Sequence, residues 1–467
     1  MKKKILILTV FALSFSMFSC TENDLEPTLA QNKDVETSIK TVEDLRGVLN
    51  GMYNRITTTP YYGRDFIVYG EVRSDNCYAN GNSGRIITPA SMDMGNTDAY
   101  ATDTWTQIYR VIASANIVIS KKNAGLDGDE GQINHYVGQA LAIRALAHFD
   151  LLKLYGQQHV TNGNNVGIPY IKEYKGSNIA PARNTVAEVK QFIYDDLDEA
   201  LSLMNASYNE ASKQYVTTYA VNAIKARVAT YFGDWNISKT ACEAIISSEQ
   251  FQIVPQAGFV DMWKQDAPVN SIFELAYSSV DNNNINGLQY IYRGASYGDV
   301  RVLDDLLSIF EPTDVRASAS MIGYDPQAPA YLTNLGKYPA SDYSDDIILF
   351  RYEEVILNYA EALFELGQSG LNGLTALDYL NLIPAQRGAS AYATITKDNI
   401  LNERRRELCF EGFRFDDLAR TGKDIPLVDP LNQRHNGPTY GSYNYAFPIP
   451  KSELNANPNM QQNYGYN

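Results

Sequence analysis

Cysteine, histidine and tryptophan are sparse in this chain. Its 467 residues hold 4 Cys, 4 His and 3 Trp. The histidines (His135, His148, His159, His435) never form an i, i+4 pair around a glutamate, so no metalloprotease box is present. Cys77, Cys242 and Cys409 follow neither a disulfide framework nor a zinc spacing. Cys242 and Cys409 sit at apolar positions of helical stretches, where a thiol serves as a small buried hydrophobe. Positive charge is in the minority: 39 Lys and Arg against 54 Asp and Glu give a net charge of -15. That balance excludes nucleic acid and anionic membrane surfaces as partners. No Gly, Pro or Ser tract dominates, and 45% of residues are hydrophobic, which excludes a disordered or collagen-like chain.

Tyrosine is abundant, 33 against 17 Phe. Rings that carry a hydroxyl suit a wet, amphipathic binding surface. The N-terminus has its own character: Lys2, Lys3 and Lys4 precede an apolar run from Ile5 to Phe18. Those 14 residues are too few to span a bilayer, which takes ~20, and read as a secretory signal. Ser19-Cys20 ends the run and resembles the lipid-acceptor site of bacterial lipoproteins, although Met17 and Phe18 depart from the usual residues. The acidic stretch from Thr21 to Glu26 is similar to the export tag that sends lipoproteins to the surface in Bacteroidetes. We therefore expect residues 1–19 to be a signal peptide, Cys20 to carry lipid, and residues 20–35 to be a tether. Removing 1–19 takes the net charge to -18.

The remainder reads as mostly α. Ile143, Ala147, Leu151 and Leu154 form one helical stripe in Gln139 to Gly156, with alanines that admit a close neighbour. Thr185 and Glu188 have capping-box spacing at the start of a helix running to Met204. Further helices are expected at Thr217 to Phe232, stopped by Gly233, and at Ile237 to Ser247. Others fall at Val42 to Arg55, Tyr100 to Lys122, Val302 to Phe310, Tyr352 to Leu366, Thr375 to Gln386 and Lys397 to Ala419. The alanine-rich pairs suggest tetratricopeptide-like packing, with a period too irregular for proven repeats. Long irregular stretches at about 56–98, 252–300 and 311–347 are of a length usually reserved for function.

One string carries an enzyme-like pattern. Gly294-Ala-Ser296-Tyr-Gly298 follows the strand-like Leu288 to Tyr292, as a nucleophile elbow would. The next helix opens only near Val302, and His435, the sole downstream histidine, lies in a Gly/Pro/Asn loop with no visible acid partner. A Gly-rich binding loop is the preferred reading. Glu403-Arg404-Arg405-Arg406-Glu407 is a run of both signs, and helical spacing pairs Glu403 with Arg406, Glu407 with Arg404 and Glu411 with Arg414.

Ile400 to Arg420, ILNERRRELCFEGFRFDDLAR, resembles the signature of the SusD/RagB family of nutrient-binding surface lipoproteins. LFRYEEVILNYAEAL (Leu349 to Leu363), QALAIRALAHFDLLKLYG, AIKARVATYFGDW (Ala223 to Trp235) and the tail FPIPKSELNANPNMQQNYGY (Phe447 to Tyr466) resemble it in the same order. The resemblance implies a tetratricopeptide-like region over 36–250 packed as one globular unit with a loop-rich region over 251–467. It also implies non-catalytic capture of oligosaccharide or polysaccharide, without cofactor or metal, and delivery to a SusC-like TonB-dependent outer-membrane transporter. Peptide or glycoprotein cargo on the same scaffold, and a secreted hydrolase using Ser296, are the alternatives.

Sugar rings stack their CH faces on flat aromatics, and their hydroxyls need short polar side chains around the edge. Two loops combine both. Glu71 to Asn76, which resembles a ligand-side family motif, supplies Asp75 and Asn76 and runs into Tyr78, Asn80, Asn82 and Arg85. The second supplies Tyr290, Tyr292, Arg293 and Tyr297. The candidate ligand contacts are Asp75, Asn76, Tyr78, Arg85, Tyr290, Tyr292 and Tyr297. Each tyrosine is as readily a packing residue, and Asp75 could cap a turn. Trp105 and Trp263 are assigned to packing.

Overall fold

The computed structural model describes residues 38–176, 179–293 and 298–466. In chain order the helical half comprises α1 (Val42–Ile56), α2 (Asp65–Val72), β1 (Cys77–Ala79), α3 (Ile87–Ser91), α4 (Ala99–Ile119), α5 (Glu130–Tyr155), α6 (Val186–Leu203), α7 (Thr218–Phe232) and α8 (Trp235–Ile246). There follow α9 (Phe259–Met262), β2 (Ser271–Leu275), α10 (Leu288–Tyr292), β3 (Val300–Val302), α11 (Asp304–Ser308), β4 (Ile322–Asp325), β5 (Ala328–Asn334) and β6 (Ile347–Arg351). The chain ends with α12 (Tyr352–Leu366), α13 (Ala376–Ala385), α14 (Lys397–Leu408), α15 (Arg414–Arg420) and α16 (Lys451–Ala456). The described chain is mostly α. Sequential helices pack as pairs, α4 on α5, α5 on α6 and α7 on α8, and α8 then packs on α12.

The local signals explain most helix ends. The Thr185 hydroxyl accepts the Glu188 N–H at 3.2 Å, and the Glu188 carboxylate accepts the Thr185 N–H at 2.8 Å. Gly233 stops α7 in the left-handed region, at φ 72°, where glycine avoids the Cβ penalty. α5 starts nine residues before the expected Gln139, capped by Asp129, because Ile133, Tyr136 and Val137 extend its buried surface. From Gln139 to Tyr155 every residue of α5 is buried, so it is the central post of the helical array.

Three expected elements differ. Leu288 to Tyr292 is helical, not a strand; Leu288, Ile291 and Tyr292 share an i, i+3, i+4 face that goes into the core. The strand lies instead at Val300–Val302, and the helix expected from there shrinks to α11. The helix expected over Lys397 to Ala419 breaks into α14 and α15, because Phe410 (φ 69°) and Gly412 (φ 86°) adopt left-handed conformations. Gly412 lies backbone to backbone against Gly70 of α2, where an added Cβ would come within 2.1 Å of the Gly412 carbonyl oxygen.

The strands form three two-stranded antiparallel ladders, β1–β3, β2–β6 and β4–β5. One cluster of buried apolar side chains draws on residues from Ile39 to Met460. The tail returns to the helical half: the Phe447 N–H donates to the Leu154 carbonyl at 2.7 Å, and the Asn463 amide donates to the Tyr155 carbonyl at 2.9 Å. Cys77, Cys242 and Cys409 are free and buried, and Trp105 and Trp263 are buried among apolar neighbours.

Glu361 of α12 is fully buried against Arg420 of α15, with two oxygen–nitrogen contacts of 2.6 and 2.8 Å, and also meets Lys397. Burial opposes its charge, but Arg420, Arg404 and Lys397 outweigh it and pull the carboxyl from the ordinary 4.5 down to about 2. A depressed carboxylate stabilises the fold above its unfolded value and loses that stabilisation as pH falls toward the folded one. The contribution is thus complete above about pH 4.5 and fades toward pH 2, on the order of 3 kcal/mol in all. Chemical denaturation at pH 7 and pH 3 should show Glu361→Gln costing much of its stability at pH 7 and far less at pH 3; an equal loss at both would contradict the assignment.

Candidate functional site

The β1–β3 ladder brings together the two loops singled out in the sequence. Tyr78 lies opposite Arg301, between the Cys77–Val302 and Ala79–Val300 pairs. Strand alternation sends Cys77 and Ala79 into the core and leaves Tyr78 partly exposed. Beyond the ladder, the Asn80 N–H donates to the Asp299 carbonyl at 2.9 Å, and its side-chain amide donates to the Gly298 carbonyl at 2.7 Å. The buried Asp299 carboxylate accepts Ser83 Oγ–H at 2.5 Å and Arg85 Nε–H at 2.8 Å, which ties the 80–85 loop down.

The residues before the strand form a bracket facing the protein. Asp75 is buried and accepts from Arg414 at 2.6 and 2.8 Å, with Arg405 at 3.2 Å. Burial pushes its carboxyl up, but Arg414 and Arg405 win and hold it below the usual carboxylate range. Asn76 is buried as well; its amide donates to Glu71 at 2.9 Å and its oxygen accepts from Arg405 at 2.8 Å. Glu71 also accepts the Gly412 N–H at 2.8 Å, so the segment clamps β1 to the α14–α15 turn. The pairs expected within residues 403–414 are mostly replaced by long-range ones. Glu403 does meet Arg406, at 3.5 Å, but Arg404 pairs with Asp417, Arg414 with Asp75, and Glu407 with Arg316, Arg351 and Arg387. The physical reason is that α14 is buried along much of its length, and the break at Phe410–Gly412 redirects Arg414.

Tyr78 opens onto a cleft of about 330 Å³ between the 80–91 loop, β5 and the 431–434 loop. Tyr331 of β5, 39% exposed, and Leu431, 94% exposed, supply apolar surface, while Asn80, Asn82, Asn432 and Arg434 supply polar groups. Arg301 lies 5.1 Å from the Tyr331 ring centre, and its ion pair with Asp325 is buried beneath the cleft's strands. Arg434 fixes the edge of β1 by donating to the Ala79 and Asn80 carbonyls at 2.7 and 3.1 Å. Gln433 shapes the 428–433 turn, accepting the Val428 and Asp429 N–H groups at 2.7 and 2.8 Å. Two tyrosine rings edged by carboxamides can stack a flat CH face and hydrogen-bond its hydroxyls. Among the described residues no group of His, Cys, Asp and Glu is placed to hold a metal ion.

Of the sequence-derived candidates, Tyr78 lines the cleft and Arg85 braces the loop that forms its wall. Asp75 and Asn76 lie behind the strand. Tyr290 is half-buried with its ring 6.0 Å from Tyr343. Tyr292 is 1% exposed and packs edge-on against Phe410 at 5.6 Å, because the helical turn of α10 directs it inward. Ser296, Tyr297 and Cys20 lie outside the described residues. His435 faces inward, with Nε2 3.3 Å from the Ser74 carbonyl. Tyr331, Leu431, Asn432 and Arg434 were not singled out. The available signal was that Tyr331 falls in a long Tyr-rich stretch and Arg434 in the Asn/Gly/Pro loop beside His435.

Removing the Asp75 charge leaves two buried guanidiniums underpaired, a change that costs about 3–5 kcal/mol. Asp75→Asn should lower the melting temperature by several degrees, and so should Arg85→Gln, which leaves the buried Asp299 carboxylate without its guanidinium. Equal melting temperatures for Asp75→Asn and the parent chain would refute the bracket role.

A family profile described as "SusD family" matches residues 327–466, and another, described as "Starch-binding associating with outer membrane", matches residues 24–230. A SusD-like protein of Formosa agariphila is 25% identical over 543 residues, covering 99% of each chain. The starch-binding protein SusD of Bacteroides thetaiotaomicron is 32% identical over 181 residues, 38% of this chain and 30% of that one. The crystal structure of a putative sugar binding protein from Bacteroides vulgatus superimposes with a TM-score of 0.82 at 28% identity, covering 92% of this chain and 100% of that one. Profiles on both halves, end-to-end relatives and a shared helical-pair architecture agree, and the chain belongs to the SusD/RagB family.

Proposed function

We propose that this protein binds carbohydrate at the outer membrane without cleaving it and passes it to a SusC-like TonB-dependent transporter. The cleft at Tyr78 and Tyr331 carries the reading: it exposes ring surface and carboxamide groups side by side. The Bacteroides relatives described as starch-binding and putative sugar binding support the ligand class. The profile described as associating with the outer membrane supports the location. Among the described residues no helix is long and apolar enough to cross a membrane, which accords with attachment through lipid on Cys20. In this reading Tyr78 and Tyr331 are stacking platforms, with Tyr297 a further candidate. Asn82 and Arg434 are edge donors, and Asp75, Asn76 and Arg85 hold the strand and loop that present them.

Affinity electrophoresis through gels containing soluble starch, xylan, laminarin, galactomannan or pectin tests the reading. The parent chain should be retarded by at least one polysaccharide. Tyr78→Ala and Tyr331→Ala should each weaken that binding by roughly thirtyfold, the ~2 kcal/mol of a binding hot spot, at nearly unchanged melting temperature. Ser296→Ala should bind as the parent does. Retardation by none of the polymers, or a hydrolytic activity lost in Ser296→Ala, would overturn the reading.

Attachment is tested separately. A single acyl chain binds a membrane only marginally, so stable anchoring takes more than one. Cys20→Ala should move the protein from the outer-membrane fraction to the soluble fraction, and the parent should copurify from mild detergent with a large β-barrel protein. Persistence of Cys20→Ala in membranes of cells lacking that partner would rule out the lipid anchor.

A further inference from the structure

A second cleft, of about 450 Å³, opens between the C-terminal end of α1 and the end of β2. It is lined by Tyr215, Tyr53, Asn50, Asn54, Thr57 and Gln214, again ring surface beside carboxamides. The half-buried Tyr215 ring is held in place. It stands edge-on to Tyr53 at 5.2 Å, the Arg46 guanidinium lies 5.7 Å from its centre, and its hydroxyl donates to Asn50 at 3.0 Å. Asn54 is exposed, and among the described residues its side-chain amide makes no protein hydrogen bond.

One segment joins this cleft to the one at Tyr78. Asp281, which lines the second cleft, begins the run Asp281-Asn282-Asn283-Asn284-Ile285-Asn286. Near its start the Asn283 amide and the Tyr277 hydroxyl donate to the Thr57 carbonyl, at 2.8 and 2.7 Å. At its far end the Ile285 carbonyl and the Asn286 side chain accept from Arg85, at 3.1 and 3.2 Å, on the loop that walls the first cleft. Six residues reach at most about 20 Å, so this short ridge, exposed at Asp281, Asn284, Ile285 and Asn286, runs from the second cleft to the Arg85 loop.

We infer that the cleft floored by Tyr215 is a second carbohydrate subsite, and that one polysaccharide chain occupies both clefts by running along the 281–286 ridge. The inference rests on the carbohydrate reading of the Tyr78 cleft and adds a ligand class to it: long chains rather than short oligosaccharides. A chain that engages both clefts makes its second contact intramolecularly, so affinity rises steeply with length once the ridge is spanned.

The polysaccharide that retards the parent chain in the gels above is partly hydrolysed and size-fractionated, and its di- and trisaccharides are compared with the intact polymer by calorimetry. Tyr215→Ala and the cleft-filling Asn54→Trp should each weaken binding of the polymer at least about tenfold, leaving the short fragments within about twofold of the parent. Tyr78→Ala should weaken both. Asn54 is exposed, so Asn54→Trp decides the matter if Tyr215→Ala melts early. If both variants bind polymer as the parent does, or if short fragments bind the parent as tightly as polymer, the second subsite is refuted while the Tyr78 reading stands. If the parent binds no polysaccharide, or Tyr78→Ala changes nothing, the carbohydrate reading itself fails and takes the subsite with it.

Discussion

Everything on the ligand side hangs from one buried carboxylate, Glu407. Arg351, Arg387 and Arg316 reach it at 2.7, 2.9 and 3.0 Å, from β6, from the turn after α13 and from the loop before β4. Burial opposes a charge there, yet the three guanidiniums hold the carboxyl well below the usual range. Glu353, Glu403, Glu411 and Asp314 pair with the same guanidiniums, and Lys337 and Arg406 add further positive charge, so the cluster is a buried network of ions shielded from bulk solvent. Replacing such a set with apolar residues is often neutral for stability, whereas removing one member is costly. Its contribution is therefore to geometry: three distant segments can meet at Glu407 in one way only. α14, thus fixed, presents Arg405 from another side, and Arg405 holds Asp75 and Asn76 just before the strand that bears Tyr78.

The helical half was legible because helix formation there obeys rules that act within a turn or two. Capping at Thr185, the stop at Gly233 and the apolar stripe through Leu151 all depend on neighbours in sequence. The ion pairs of α14 were not legible by the same rules. Spacing of three and four residues predicts partners on one helix, but a buried helix is surrounded by other elements, and a guanidinium finds the carboxylate nearest in space. Asp75 illustrates this: its sequence neighbourhood of Arg, Ser and Asn looks like a polar loop, and only the arrival of Arg405 and Arg414 from some 330 residues away makes it a structural ion. Tyr331 is the opposite case. Nothing local distinguishes it among 33 tyrosines, and its place in the cleft follows from β5 packing on β3.

This division separates two kinds of polar residue. Those that maintain the scaffold are buried, charged and paired, and a change at any of them disturbs several segments. Those that line the clefts are mostly neutral amides and tyrosines, some of which also hold a strand edge or a turn. Such a protein can acquire a new ligand through its loops while its ion lock and helix pairs stay as they are.

The tail contacts also impose an order in time. Phe447 and Asn463 close onto the carbonyls of Leu154 and Tyr155 at the end of α5, and Arg183 completes the joint through Asn463 at 2.7 Å. The central helix is therefore sealed by residues made long after it. A nascent chain has α5 available early, yet cannot finish the surface around it until residues 447–463 have been synthesised. That delay leaves the polypeptide unfinished, and so threadable, while the segments between α5 and the tail are still being made.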